Sequence, residues 1–545
     1  MPKKFAGGST PIQATADKAV RDHYDRIPYP AAPRPLSHPD RLATLAYLHG
    51  LDPQPIERCR VLELACADGG NILAMAANYP NSSFLGVDVS PVQIAQGRER
   101  IARLGLKNIE LMDISLLDLE EKDGPFDYII AHGVFSWVRP EVQDKILHIC
   151  RHCLAPNGVS YISYNVYPGW YSHRMMRDLM AYRTRNTEDP GQRVEQSAEL
   201  IRFMSAAAGQ SKDASHARFI RTFRTELESV HSWKSYLFHE YLEEVNAPMY
   251  FHQFMDQAHR AGLQYLSDAD PVPHEPSSLP DEAIEVLQRW CESRVEVEQY
   301  VDFIRNCPFR QSLLCRSDTP MSETIDVHRV RDLYASSAVT PVDTDKEDNR
   351  TDALRFRVPS TGDTFTAGSP ATAQLLLRLG DAWPRTLSFK AQGECSASGA
   401  SPLVAAPDDS ALSDEALADM LLSLFLSGII SLHRSPVRCA AKPSDHPCTS
   451  PLARLQCAEG LAVTNQRHHP VDMDDDTARF LLPLLDGTRN RAALTDCLEG
   501  AVRNLTLMIS SEGRPIQELP QARAVLEKLV GHHLAKMAEH ALLVE

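Results

Sequence analysis

The feature that most constrains the fold of this chain is a regular alternation of short apolar segments with longer amphipathic segments between residues 61 and 163. The apolar segments have the length of buried strands and lie at residues 61–64, 83–87, 109–112, 128–131 and 159–163. The segments between them have the length of helices and lie at residues 69–78, 91–104 and 142–153. Strands that alternate with helices predict a parallel sheet with helices on both faces.

The turn after the first predicted strand has the composition of a nucleotide-binding turn. Residues 65–71 (ACADGGN) are mostly small, so the backbone can approach a cofactor closely. Asp88 ends the second predicted strand, 20 residues after Asp68, where an acid can accept hydrogen bonds from two ribose hydroxyls. The G-x-G-x-x-G pattern of a pyrophosphate site is absent, whereas Glu63 inside the strand is typical of methyltransferases.

Nine motifs extend this pattern along the first 320 residues. They are YDRIPYPAAP, SHPDRLA, RVLELACADGGNILAMA, FLGVDVSPVQIAQG, FDYIIAHGVFSWV, LAPNGVSYISYNVYPGW, YLFHEYLEEVNAPMYFHQF, GLQYL and FRQSLLC. Together they resemble the class I S-adenosylmethionine-dependent methyltransferases that carry a methyltransferase regulatory domain, and among these the rickettsial-type protein lysine methyltransferases. The resemblance covers about residues 20–320 and is thinner beyond them. It implies a Rossmann-like fold and S-adenosylmethionine as cofactor.

The resemblance also implies the site residues by position. The cofactor would be bound by Glu63, Ala65, Cys66, Ala67, Asp68, Gly69, Asn71, Asp88, Val89, Asp113, Ile114, His132 and Gly133. In this set Asp88 would bind the ribose and Asp113 the exocyclic amine of adenine, while His132 would lie beside the methyl group. The candidate catalytic residues are His132, Tyr164, Asn165 and, from the N-terminal arm, Tyr29, with no metal. The sequence leaves open whether Tyr164 only packs the loop after its strand, and whether His132 is a structural histidine.

One departure from the family pattern lies in the turn itself. Ala65 and Ala67 stand where the family usually has glycine. If either position needs a positive φ, alanine costs on the order of 1 kcal/mol. We therefore expect weaker cofactor binding rather than none.

The chain is long enough for several domains. The expected parts are an arm and lid (1–50), a methyltransferase domain (51–318) with a helical insert (about 172–247) and a regulatory domain (about 215–320), a linker (319–352), and two winged-helix-like units (353–437 and 452–545). The two units form a weak repeat of strands, helices and a short closing strand, which predicts an α+β accessory region.

Charge and cysteine usage restrict the partners and the compartment. The formal net charge of −16 disfavours binding to nucleic acid. Twelve scattered cysteines, without a secretory signal or a membrane-spanning stretch, predict a cytoplasmic protein that does not insert into membranes. Cys150 and Cys153 have CxxC spacing with two histidines nearby, but a helical pattern there favours a structural role.

The leading functional hypothesis is methylation of lysine side chains in a protein substrate. A small-molecule methyltransferase and a protein-interaction scaffold that senses the cofactor remain as alternatives. The resemblance further suggests a homodimer through the middle region.

Overall fold

The structure is a computed structural model and describes residues 31–208, 214–230, 233–272, 279–342, 354–359, 361–393, 412–511, 514–515 and 522–545. A seven-stranded sheet lies at its centre, with the order β3-β2-β1-β4-β5-β7-β6. Its strands are β1 (Arg60–Leu64), β2 (Ser83–Asp88), β3 (Ile109–Asp113), β4 (Phe126–Ala131), β5 (Leu154–Asn165), β6 (Leu263–Asp268) and β7 (Phe309–Arg316). Strands β1 to β5 run parallel, and β7 lies antiparallel between β5 and β6. The predicted parallel sheet is therefore present, with one antiparallel strand near its edge.

Helices cover the sheet on both faces. They are α1 (Pro39–Leu48), α2 (Gly70–Asn78), α3 (Pro91–Leu104) and α4 (Pro140–His152). Helix α3 shows why the sequence folds this way. Its N-terminus is capped by the Ser90 side chain, which accepts a hydrogen bond from the backbone N–H of Gln93, and Pro91 occupies its first turn. Gly105 ends it in the left-handed conformation.

The sheet register brings the carboxyl ends of the parallel strands to one edge. Glu63 lies opposite Gly86 on β2 and opposite Ile130 on β4, while Asp88 lies opposite Asp113 on β3. The residues that follow these strands therefore share one edge of the sheet, which is where α/β proteins bind their ligands.

The insert between β5 and β6 is helical, as the sequence predicts. It contains α5 (Trp170–Thr184), α6 (Pro190–Ala208), α7 (Ala214–Ser229), α8 (Trp233–Leu237) and a π-helical turn (Phe238–Leu242). These helices pack around their own apolar cluster, which includes Met176, Ile220 and Phe238. The chain then returns to the sheet through α9 (Phe251–Arg260), α10 (Asp281–Trp290) and α11 (Arg294–Arg305).

The prediction of a linker at residues 319–352 is wrong for residues 319–342, the part of this range that the structure describes. Residues 327–332 form a 3₁₀ helix, followed by β8 (Tyr334–Ser336) and β9 (Thr340–Pro341). Strand β8 is the central strand of a small antiparallel sheet, and Val330, Leu333 and Ala335 are buried. A few buried apolar residues suffice for the central strand of a small sheet. The polar residues around them made the segment look like a linker in the sequence.

The first accessory unit adds two small sheets and three helices. Its other elements are β10 (Arg355–Arg357), β11 (Thr364–Thr366), α12 (Pro370–Ala382), β12 (Leu387–Ser388), α13 (Phe389–Gly393), α14 (Asp414–Leu426) and β13 (Ser431–His433). Its apolar residues, including Leu376, Leu421 and Phe425, belong to the same cluster as Leu42 of α1 and Val61 of β1. This unit and the central sheet therefore share one core.

The second accessory unit has a core of its own, which includes Leu481, Leu498 and Leu534. Its elements are α15 (Pro451–Ala458), β14 (Val463–Thr464), β15 (Pro470–Val471), α16 (Asp476–Leu481), α17 (Arg491–Arg503), β16 (Ser510–Ser511), β17 (Arg514–Pro515) and α18 (Ala522–Glu539). Among the described residues, no helix combines the length and the apolar composition needed to cross a membrane.

Candidate active site

The turn after β1 has a left-handed backbone at three positions. The φ angles are 57° at Ala65, 53° at Ala67 and 77° at Gly69. Both alanines therefore occupy the conformation that glycine adopts without strain, and each costs ~1–2 kcal/mol relative to a right-handed residue. The turn is held by its neighbour β2, because the backbone N–H of Cys66 donates to the carbonyl oxygen of Val87 at 3.1 Å.

Asp88 fixes the turn from the end of β2. Its Oδ2 accepts from the backbone N–H of Ala67 at 2.8 Å, and its Oδ1 accepts from the backbone N–H of Ser90 at 2.9 Å. Val89 follows it on the same edge. A carboxylate oxygen accepts more than one hydrogen bond, so these contacts orient Asp88 and are compatible with bonds from ribose hydroxyls.

Glu63 is a buried acid directly below the turn. Its side-chain Oε1 accepts from Nδ2 of Asn71 at 2.7 Å, while Oε2 has no hydrogen-bond partner among the described residues. Burial raises the pKa of Glu63 to about 7, against the lowering effects of hydrogen bonds from the Asn71 side chain and the Ile72 backbone. An unpaired oxygen on a buried carboxyl group is costly, so this position is a candidate for binding a cationic group.

The side chains of Asp68 and Asn71 make hydrogen bonds and an ion pair that hold the turn. Asp68 Oδ1 accepts from the backbone N–H of Gly70 at 3.0 Å, and its Oδ2 forms an ion pair with Arg100 of α3. Asn71 Oδ1 and Nδ2 are both hydrogen-bonded, with Arg34, His468, Ser37 and Glu63 as partners. These contacts orient both residues, and they stay predicted contacts of the cofactor.

Asp113 and Ile114 follow β3, beside Asp88. The Asp113 carboxylate is about half exposed, and its Oδ1 forms an ion pair with Arg98 at 2.9 Å. This ion pair holds the acid at the outer end of the site, where it stays a predicted contact for adenine.

His132 lies directly after β4 and is held by a chain of hydrogen bonds. Its Nδ1 is 2.8 Å from the hydroxyl of Tyr161, which itself donates to Oε1 of Gln311 at 2.5 Å. Since the hydroxyl proton is used for Gln311, Nδ1 of His132 must donate, and Nε2 carries the lone pair. Burial lowers the pKa of His132 to about 3, with the charge of Arg34 acting in the same direction, so the ring is neutral at physiological pH. Next to it, the backbone N–H of Gly133 donates to Oγ of Ser163 at 2.7 Å.

Strand β5 separates the predicted catalytic residues. Tyr164 is 1% exposed and packs on Phe254 with 4.0 Å between ring centroids, while its hydroxyl lies 2.9 Å from Oγ of Ser312. Tyr164 is therefore a core residue, and its predicted catalytic role is wrong. Asn165 lies on the other face of the strand and is buried, and its Nδ2 has no hydrogen-bond partner among the described residues. Tyr29 lies outside the described residues.

Sequence reasoning missed Tyr161 and Gln311, and it did not single out Glu240 of the insert. Tyr161 could have been found from the two-residue period of β5, which places it on the face opposite Tyr164. Gln311 joins the site only through the antiparallel pairing of β7 with β5. Glu240 lies in the π-helical turn of the insert, a feature often found at functional sites. Burial raises its pKa to about 7, and Arg34, which also acts on His132, opposes this shift.

The CxxC pair contributes to the core. Cys150 and Cys153 are buried, and burial raises the pKa of their thiols to about 12 and about 11. The nearby His148 and His152 point instead to the surface, within 3.2 and 3.7 Å of Oε1 of Glu121. The expected structural role of the two thiols agrees with this placement.

Three family models match separate parts of the chain. A methyltransferase domain matches residues 62–160, a predicted methyltransferase regulatory domain matches residues 234–316, and a PKMT C-terminal winged helix domain matches residues 445–542. The first match covers the strands that form the site, and the last covers the second accessory unit.

Relatives of known sequence or structure match nearly the whole chain. The uncharacterized protein RP789 of Rickettsia prowazekii (strain Madrid E) is 34% identical over 540 residues, which is 98% of this chain and 96% of the relative. The chain belongs to the same family as this relative, and its match to the methyltransferase domain makes it a methyltransferase. The structure of PKMT2 from Rickettsia typhi has a TM-score of 0.82 at 28% identity and covers 95% of this chain and 100% of that chain. A second structure of PKMT2, in complex with AdoHcy, matches equally well.

This membership confirms the predicted family and fold class. The methyltransferase is built from a Rossmann-like sheet with a helical insert, followed by an accessory region that ends in a winged helix domain.

Proposed function

We propose that this methyltransferase transfers methyl groups from S-adenosylmethionine to lysine side chains of a protein substrate in the cytoplasm. The observation that carries the proposal is the buried Glu63 carboxylate, which lacks a donor to Oε2 among the described residues and shares a sheet edge with Asp88 and His132. The likeness to PKMT2, solved in complex with AdoHcy, supports both the methyl donor and the class of acceptor.

The residues of this edge fit the donor group by group. Glu63 presents an unpaired carboxylate oxygen, which suits the ammonium of the methionine portion. We assign the ribose to Asp88 and the adenine to Asp113 and Ile114, because these residues follow adjacent strands in that order. The backbone of residues 65–69 would lie along the cofactor, as would Gly133.

The cofactor supplies a sulfonium methyl group, and the protein must present an amine lone pair to it at about 3 Å in line with the breaking bond. His132 is neutral, and its Nε2 can accept a hydrogen bond from the lysine amine and so orient the lone pair. The lysine ammonium must first lose its proton to water, since the amine attacks only through its free lone pair. Asn165 stays a predicted catalytic residue.

The test uses tritiated S-adenosylmethionine, the purified full chain and a bacterial lysate split into a protein fraction and a small-molecule filtrate. We expect label in the protein fraction that is recovered as methyl-lysine after acid hydrolysis, and none with Asp88→Ala. Label in the filtrate would instead support a small-molecule acceptor. Binding of the cofactor without any transfer would support the scaffold alternative.

We also propose that the middle region contacts a second copy of the chain. Four large apolar side chains are exposed on α10 and α11, namely Trp290 (65%), Tyr300 (41%), Phe303 (48%) and Ile304 (55%). Exposed apolar patches of this kind mark interaction surfaces. Sedimentation velocity would give a dimer for the parent and a monomer for Phe303→Glu, and a monomeric parent would contradict the proposal.

A further inference from the structure

The second accessory unit reaches the candidate active site through its β14–β15 hairpin. The loop of this hairpin, residues 465–469, carries His468, which is 3% exposed. The His468 ring lies 4.9 Å from the ring of His38, at the start of α1. A winged helix domain commonly contacts nucleic acid, whereas this wing lies against the catalytic domain.

His468 makes a directed hydrogen bond to the cofactor turn. Its Nε2 lies 2.8 Å from Oδ1 of Asn71. The same Oδ1 accepts from the backbone N–H of Arg34 at 2.8 Å, so this atom of the amide is the oxygen. Nε2 of His468 must therefore be the donor. Burial lowers the pKa of His468 well below its usual range, so this donor is a neutral imidazole.

Asn71 is hydrogen-bonded to both His468 and Glu63, the buried acid of the site. Its Nδ2 donates to Oε1 of Glu63 at 2.7 Å and to Oγ of Ser37 at 3.1 Å. One residue thus connects His468 with Glu63, whose Oε2 has no hydrogen-bond partner among the described residues. The His468 donor therefore orients Asn71 together with the Arg34 N–H and Ser37, and through Asn71 it acts on Glu63.

A second, separate contact joins the same unit to the same turn. Glu459 follows α15 and forms ion pairs with Arg100 at 2.9 Å and with Arg103 at 2.6 Å. Arg100 is also the ion-pair partner of Asp68 in the cofactor turn. Leu452 of α15 packs beside this link in a small cluster with Leu73.

The wing loop is built to hold His468 in place. The φ angle of His468 is 60°, a left-handed backbone conformation that residues other than glycine rarely adopt. The Asn465 side chain holds the loop, since its Oδ1 accepts from the backbone N–H of Arg467 at 2.9 Å and of His469 at 2.8 Å. Arg467 anchors the loop to the first accessory unit through the carbonyl oxygen of Pro384 at 2.9 Å. A strained backbone conformation persists only where the surrounding contacts hold it, so the loop keeps His468 in position before any ligand binds.

We propose that the C-terminal winged helix unit holds the cofactor turn in its binding geometry, with His468 as a positioning residue for Glu63. The inference rests on the proposed function, in which Glu63 binds the ammonium of S-adenosylmethionine. It makes the accessory unit part of the cofactor site, and anything that displaces the wing would weaken cofactor binding.

The experiment compares two ligands on the full chain by calorimetric titration. S-adenosylhomocysteine carries the ammonium, and methylthioadenosine lacks it. We expect His468→Leu to bind S-adenosylhomocysteine ~10-fold more weakly, since a lost buried hydrogen bond has about this effect, while the affinity for methylthioadenosine changes less than about twofold. His468→Gln restores an N–H donor and should recover most of the affinity.

Matched variants separate positioning from folding. His469→Leu changes the next, exposed residue of the loop and should leave both affinities unchanged. Glu459→Gln tests the second contact at a half-buried position and should weaken S-adenosylhomocysteine binding about threefold. Equal losses for both ligands in His468→Leu, or no loss in either variant, would overturn the inference alone. A parent protein that binds neither ligand would overturn the proposed function, and the inference with it.

Discussion

Two alanines of the cofactor turn show how much one residue can decide. Ala65 and Ala67 have φ angles of 57° and 53°, where glycine has no steric penalty. A left-handed alanine costs ~1–2 kcal/mol. A glycine at the same position removes this cost, but part of the stability gained is lost because glycine makes the unfolded chain more flexible. The glycines that are usual in the family and the alanines of this chain therefore suit the same left-handed turn, but the alanines adopt it at a higher conformational free energy.

We expect Ala65→Gly and Ala67→Gly each to raise the free energy of unfolding by roughly 0.5–1 kcal/mol. Urea denaturation of the two variants measures this. The control is Ala95→Gly on the exposed face of α3, which should lower the free energy of unfolding by ~1 kcal/mol. Destabilisation at positions 65 and 67 as well would contradict the left-handed turn.

Glu63 links cofactor binding to pH. Its folded-state pKa of about 7 lies above the unfolded value of about 4.3. The protonated acid therefore contributes stability that is fully present below the unfolded pKa and is lost as the pH rises through about 7. A bound ammonium beside Oε2 would favour the ionised form and so lower the pKa again.

We expect S-adenosylmethionine binding near pH 6.5 to release a proton from Glu63. The binding enthalpy measured in buffers of different ionisation enthalpy reports this release. Glu63→Gln, which cannot ionise, should bind the cofactor more weakly and release no proton. Proton release that persists in Glu63→Gln would assign it to another group.

At the scale of one element, β5 shows how a strand divides tyrosines between a core and a site. Its two-residue period points Tyr161 towards His132, and Tyr164 into the cluster with Phe135 and Phe254. The aromatic composition of the strand is the same on both faces. What lies opposite each face comes from other elements, α9 on one side and the end of β4 on the other.

We expect Tyr161→Phe to lower kcat about 10-fold or more, because His132 loses the acceptor that fixes Nδ1 as its donor. Tyr164→Phe should leave kcat unchanged and lower the free energy of unfolding by about 1 kcal/mol, since only the bond to Ser312 is lost. Steady-state kinetics and urea denaturation of both variants separate the two roles. The reverse pattern would return Tyr164 to the site.

At the scale of the whole molecule, the catalytic domain packs closely against the first accessory unit and shares an apolar core with it. Helix α1 packs against the first accessory unit, where the Arg41 guanidinium lies 4.9 Å from the Phe425 ring centroid. Asp40 of the same helix accepts from the backbone N–H of Ser435 at 2.8 Å and pairs with His433 at 3.0 Å. The apolar cluster is continuous across this contact.

We expect a fragment of residues 1–318 to aggregate, because it exposes the apolar surface of α1 that the first accessory unit covers. A fragment of residues 1–437 keeps that cover and should remain monodisperse, with a single unfolding transition for its shared core. Light scattering and scanning calorimetry of the two fragments measure this. A stable, monodisperse 1–318 fragment would show that the two parts fold independently.

Much of the sheet follows from local sequence. The apolar runs predict β1 to β4 and their helices to within about two residues, because they act through neighbours in the chain. The same holds for Asp88, whose place at a strand end predicts its place at the sheet edge. Strand β5 begins five residues before its predicted start, where the sequence favours a turn. The sequence also predicts the family through motifs that lie in these elements.

The tertiary structure decided what each side chain contacts. Asn71 and Asp68 belong to a predicted binding turn, but their partners come from the arm, α3 and a wing almost 400 residues away. Tyr161 joins the site through Gln311, 150 residues further on. Local patterns determine helices, strands and the acids at their ends. Burial and hydrogen-bond partners depend on how distant segments pack, and no local pattern contains that information.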